Sequence, residues 1–199
     1  MVRNATRLVA TVVCIIGLGS SAVEARGLLG ERYGSLHLGV TRPGNSRLRE
    51  IDSSVIGFGA SMNLPVTGNV DLNFALSREE LDGGTFEIDL TSFQGGVNYL
   101  ISPESETCPF LIGRLGIVDT SPGDSDPMIA LGGGIEFGLN DKTALTPSLV
   151  FMHVDDADDL ILSGEGNYWI TESVFGVAGL GIGLDEGDIV VTLGAGVRF

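Results

Sequence analysis

Over most of this chain, apolar residues alternate with small or polar ones at a period of two. That period belongs to extended strands, whose successive side chains point to opposite faces, and not to helices, which repeat at about 3.6 residues. The segment 129–139 shows it most plainly. Ile129, Leu131, Ile135, Phe137 and Leu139 share one parity, while Ala130, Gly132, Gly134, Glu136 and Gly138 share the other. The last eleven residues repeat the pattern, with Ile189, Val191, Leu193, Ala195, Val197 and Phe199 on one face. Thr192, Gly194, Gly196 and Arg198 lie on the other, together with Val190. A soluble sandwich would also alternate, but here the non-apolar face is mostly glycine and small residues. Side chains that converge inside a narrow cylinder have to be small.

Ten such segments are expected, near 31–41, 51–64, 70–78, 85–101, 110–119, 128–139, 144–154, 160–170, 174–184 and 189–199. Eight is the alternative count. About 11 residues at about 3.3 Å each, tilted near 45°, cover roughly 25 Å, the height of a membrane's apolar band. Parity breaks once. Phe86, Ile88 and Leu90 share a face, and then Phe93, Val97, Tyr99 and Ile101 take over, so a bulge near Thr91 and Ser92 is expected to restore them to one side.

Mean hydropathy is +0.30, high for a chain with 19% charged residues. Yet nothing beyond the N-terminus approaches the roughly 18 apolar residues of a spanning helix. Within lipid every backbone polar group must be satisfied internally, which leaves a closed β-barrel. The reading is therefore an all-β, closed, antiparallel up-and-down transmembrane barrel over 26–199. A soluble lipocalin-like barrel, its apolar face turned inward, is the alternative. Residues 1–25 read as a cleaved signal peptide. Arg3 and Arg7 supply its positive end, residues 8–18 its apolar run, and Val23 and Ala25 the compact positions read at the cut. Cys14 follows Val12 and Val13, not the small residue a lipidation site wants. Export to the outer membrane of a Gram-negative cell follows.

Four of the five connections after odd segments (42–50, 79–84, 119–127, 155–159 and 185–188) are rich in Asp and Glu. An even strand count puts both chain ends on the periplasmic side and these connections outside. With a formal charge of −15 the chain would repel phosphates, which excludes nucleic acid as an electrostatic partner. Removing the signal peptide leaves Cys108 as the single cysteine, so no intrachain disulfide is possible; it reads as a turn residue. Tyr33, Tyr99, Phe110, Trp169, Phe175 and Phe199 map to periplasmic strand ends and read as an aromatic girdle, with Phe86 and Phe151 as a thin outer one.

These features together resemble the small bacterial outer-membrane barrels of the OmpA-type, opacity and YfaZ-type superfamily. The Gly-x-Gly strands 132–138 and 176–183, the 95–99 strand end, the 139–145 turn and the terminal 193–199 segment carry the resemblance. It covers nearly the whole mature chain by pattern, without a unique motif, and it brings no catalytic residues. In that group a C-terminal Phe behind alternating apolar residues is the signal read by the barrel-assembly machinery. The resemblance implies that Phe199, Val197, Leu193 and Val191 form that signal here, with outer-membrane lipids and that machinery as partners.

Polar chemistry is expected in the lumen. By parity Asp71, Asn73, Glu87, Asp89, Arg114, Glu136, Glu165 and Arg198 point inward. Arg114 and Arg198 with Glu136 and Glu165 read as a charge network, either a static one that neutralises buried charge or a constriction that selects ions. His153 with Asp155, Asp156, Asp158 and Asp159 resembles an omptin-type rim protease in outline. Glu79, Glu80 and Asp82 are its only candidate second acids, and the strands are too short to build the cleft. The same aspartates offer weak divalent-cation binding without the spacing of a dedicated Ca²⁺ loop. Gly179, Gly181 and Gly183 open no helix and are not a nucleotide loop. No cofactor, metal centre or enzymatic role is expected. The function read is a structural or narrow-pore barrel, with adhesion through the acidic connections as the alternative.

Overall fold

In a computed structural model, which describes residues 29–44, 54–82, 87–121, 123–185 and 187–199, ten strands close into one antiparallel barrel. They are β1 (Tyr33–Arg42), β2 (Val55–Thr67), β3 (Val70–Asp82), β4 (Glu87–Leu100) and β5 (Thr107–Ser121). β6 (Ser125–Asn140), β7 (Thr143–Val154), β8 (Ala157–Trp169), β9 (Val174–Gly183) and β10 (Ile189–Arg198) follow. Each pairs with its sequence neighbours, and β1 closes on β10 from Tyr33 opposite Arg198 to Arg42 opposite Ile189. The count is ten, not eight. Residues 1–25, read above as a signal peptide, and Phe86 lie outside the described residues.

Alternation sets the two faces. Leu36, Leu38, Phe58, Leu115, Leu131 and Leu193 are exposed on the outside, while Ser35, His37, Ser61, Arg114, Ala130 and Thr192 are buried inside. The apolar face is therefore outward, as in a membrane barrel and opposite to a lipocalin-like one. No helix among the described residues is long and apolar enough to cross a membrane, so any crossing is made by strands.

The strands are staggered. From Tyr33, residues directly opposite on successive strands run through Asn63, Asn73, Gly96, Arg114, Ala130 and Met152 to Asp159. That row starts where β1 begins, at what we term the proximal end, and finishes near the opposite, distal end of β8. Closing a sheet into a cylinder requires this tilt and shear.

Three sequence expectations are corrected. No bulge occurs near Thr91 and Ser92; the β3–β4 and β4–β5 ladders run without a register shift. Leu90 turns inward instead and is fully buried, while Asp89 turns outward to meet Arg78 at 3.1 Å. Apolar inward residues at the distal end remove the need for a bulge. The irregularities sit beside turns, between Pro65 and Thr67 and between Gly138 and Asn140. The aromatic girdle is also different. Tyr33, Phe110, Trp169 and Phe175 are buried in the lumen, and only Tyr99 and Phe199 of that set face out, joined by Tyr168. Finally, several connections are strand. β3 continues to Asp82 and β8 begins at Ala157, which carries Glu79 and Asp159 inward. Cys108 likewise belongs to β5 and is buried.

Candidate functional site

The lumen is the one place where the fold gathers polar chemistry, and it has three levels. At the proximal end, Tyr33 meets Phe175 edge-on with ring centroids 5.6 Å apart, and Trp169 lies tilted 5.0 Å from the same ring. Arg198 covers Trp169 at 5.5 Å and reaches Glu31 at 3.4 Å. Aromatic edges and faces attract through their quadrupoles, and a guanidinium over an indole adds a cation–π contact. Glycine makes room for this cluster. A Cβ on Gly196 would collide with the Phe175 ring, and one on Gly134 would come within 2.7 Å of Phe110. Below the cluster, a recess of about 540 Å³ is lined by Glu31, Asp141, Lys142, Thr171, Glu172 and Arg198, among others.

The middle level is polar. Asp71 Oδ2 accepts from Asn63 Nδ2 at 3.0 Å and from the Gly30 amide at 3.1 Å. Serine hydroxyls pair across strands at 2.7 Å, Ser35 with Ser61 and Ser77 with Ser92. Arg114 from β5 and Glu165 from β8 are both buried and lie within electrostatic range of each other. The stem of Arg114 lies over Gly96, where a Cβ would come within 2.6 Å of its Cγ.

The distal level carries apolar residues on one side. Leu90, Val118, Met128, Met152, Val154 and Ile161 belong to one buried cluster that continues down to Ile112 and Phe110. At this level the apolar side chains come mostly from β5 to β8, while the inward residues of β3 are polar. Distal acids also tie the turns. Asp188 Oδ1 accepts from the Gly44 amide at 2.5 Å, and Asp159 Oδ1 accepts from the amides of Leu160 at 2.8 Å and Asp185 at 3.3 Å.

Of the residues expected inward from parity, Asp71, Asn73, Arg114, Glu136 and Glu165 are buried in the lumen. Arg198 sits at the proximal mouth, over Trp169 and 3.4 Å from Glu31. Asp89 faces outward, and the side chain of Glu87 lies outside the described residues. His153 Nδ1 and Asp158 Oδ1 are 2.7 Å apart on the exposed outer rim. No group of three or more metal-ligating residues is present among the described residues. Sequence reasoning missed Glu79, read as part of a connection. The unbroken parity of Asp71, Asn73, Ala75, Ser77 and Glu79 would have placed it on the inward face.

A closed up-and-down barrel of ten antiparallel strands with an apolar outer surface has the fold of a small outer-membrane β-barrel. Solved structures agree. The translocator domain of the autotransporter NalP from Neisseria meningitidis is similar with a TM-score of 0.54 and 11% identity, over 99% of this chain and 95% of that one. The NanC porin is similar with a TM-score of 0.53 and 8% identity, over 82% of this chain and 100% of that one. The β domain of the Bordetella autotransporter BrkA is similar with a TM-score of 0.52 and 8% identity, over 85% and 98%. At such identities the likeness is one of fold alone. No family model and no curated protein matches the chain.

Proposed function

We propose that this chain is an integral outer-membrane β-barrel without enzymatic activity, structural in role or carrying a narrow path through its lumen. The observation that carries the reading is the closed barrel's apolar outer belt, with exposed Leu38, Phe58, Leu76, Phe93, Leu131 and Leu193. Water would not tolerate such a surface, and a lipid core requires it. Export through the secretory pathway rests on the charged, apolar and small-residue pattern of residues 1–25. The proximal end, where β1 begins and β10 finishes, would then face the periplasm, with Phe199 and the residues before it presented to the assembly machinery.

Buried side chains of both ends, aromatic at one and aliphatic at the other, favour a filled barrel over a wide aqueous pore. Outer-membrane fractionation and heat-modifiable gel mobility test the assignment. Recovery of the chain as a soluble periplasmic monomer would overturn it. Surface interaction through the distal rim is a second reading, favoured by the exposed carboxylates of Asp155, Asp156, Asp158 and Asp185. It predicts that neutralising them abolishes adhesion and leaves barrel assembly intact.

A further inference from the structure

We propose that the inward faces of β2, β3 and β4 form a hydrated track for small inorganic cations, with Asp71 and Glu79 as its charged stations. The proposal rests on the membrane-barrel reading and says what a narrow path through that barrel would carry.

The track is continuous. β3 supplies Asp71, Asn73, Ser77 and Glu79 to the lumen, interrupted only by Ala75. β2 sets Asn63 beside Asn73. β4 sets Asn98 beside Asp71, Gln94 beside Ala75 and Ser92 beside Ser77. Asp71 stands near the proximal end and Glu79 eight positions further along the same face, near the distal end. Across the lumen stands the apolar wall of Val118, Met128, Val150 and Met152. On β2 to β4 the polar residues form one continuous row, while those of β5 to β8, Arg114, Glu136, Thr146 and Glu165 among them, are interspersed with apolar side chains.

Much of their hydrogen-bonding capacity is unspent. Both polar atoms of the Asn73 amide and both of Gln94 are buried without a partner among the described residues, as are Oδ1 of Asn98 and Oδ1 of Asp71. Both carboxylate oxygens of Glu79 are in the same state, with the residue only 1% exposed. Buried polar groups are normally satisfied by protein or by ordered water. Ser77 and Ser92 satisfy each other, and Asp71 Oδ2 is satisfied by Asn63 and Gly30, but the remaining atoms recur along the row at the spacing of a water file's lining.

Charge then sets what the file prefers. Glu79 is flanked by Gly57 on β2 and Leu90 on β4, neither of which brings a cation. Its chain neighbour Arg78 points outward to Asp89 and Glu80. A carboxylate in a dry interior takes up a proton, whereas one that lines a water file can keep its charge and then attracts a countercharge. With none beside it on the described parts of β2 and β4, solution cations supply it, as acidic rings do in cation channels. Arg114 reaches towards the track over Gly96, but its charge is faced by Glu165 from β8.

The test uses the refolded barrel in planar bilayers under a KCl gradient, with heat-modifiable mobility confirming assembly. The wild type is expected to favour K⁺ over Cl⁻. E79Q should lower that permeability ratio by about tenfold, the change that about 1.4 kcal/mol produces, and D71N should act in the same direction. E80Q, one residue away on the exposed outer face, should leave the ratio unchanged. An assembled barrel with no conductance, with anion preference, or with equal ratios for wild type and E79Q overturns the inference alone. A chain that never shows heat-modifiable mobility overturns the barrel reading and the inference with it.

Discussion

Replacing Gly196 by Ala isolates the glycine–aromatic packing of the proximal lumen. A methyl at this position would be driven into the Phe175 ring, whose Cε1 and Cε2 would both lie 2.7 Å from the new carbon. The ring cannot step aside, because Tyr33 stands against one part of it and Trp169 against another, and all three are buried. Overpacking of this kind costs about 1–3 kcal/mol. Without the clash, replacing glycine in a strand would instead stabilise by about 0.4–1 kcal/mol through reduced unfolded-chain entropy. The sign of the change is therefore informative. Gly176 is the control, since a Cβ there meets nothing nearer than the Gly194 carbonyl oxygen at 3.9 Å. Urea unfolding in lipid vesicles, followed by fluorescence of the chain's single tryptophan, reads both variants, and that tryptophan is Trp169 itself. G196A should lose about 1–3 kcal/mol, and G176A should match the wild type or gain up to about 1 kcal/mol. In a cycle with F175L the loss at Gly196 should shrink by about 1 kcal/mol or more, because contacting residues do not add independently. Equal stabilities for G196A and G176A would refute the packing argument.

Three further outcomes are expected. Leu193→Arg, in the middle of the outer belt, should destabilise the barrel in bilayers by about 2–4 kcal/mol, and Leu139→Arg beside the proximal turn by about 0–1 kcal/mol; refolding titrations in vesicles measure the difference, and equal costs would contradict the placement of the belt. His153→Ala breaks the 2.7 Å contact with Asp158, but both groups are exposed, so unfolding should show a loss below about 1 kcal/mol. Replacing Phe199 by Ser should reduce the amount of barrel assembled in cells while leaving refolding of the purified chain in detergent unchanged, since the residue is two-thirds exposed on the outer face; parallel measurement of cellular level and in vitro yield separates the two.

The strands were legible because alternation is a local property. Each of the ten segments carries its own parity, and the parity of 129–139 or 189–199 is enough to say which face meets lipid. The inward residues were legible where that parity ran unbroken, as for Asp71, Asn73, Arg114, Glu136 and Glu165. It misled where an inward position was itself apolar. Leu90 was assumed to share the outer face, which demanded a bulge that the ladders do not contain and which turned Asp89 to the wrong side. The aromatic residues misled in the same way. Sorting Tyr33, Phe110, Trp169 and Phe175 by height along the strand ignored their inward parity, and they pack inside the lumen instead of forming a girdle.

What the amino-acid order determined by itself is therefore the strand period, the outward apolar face and the closed architecture that a lipid surrounding imposes. Which inward residues meet was decided only by the tertiary structure. Shear carries the row from Tyr33 at one end to Asp159 near the other, so lumen neighbours come from unrelated heights in the sequence. That stagger is a property of closing all ten strands at once, and no single strand encodes it. It places Arg114 within range of Glu165, sends Arg198 to Trp169 and Glu31, and leaves Glu79 buried beside Gly57 and Leu90.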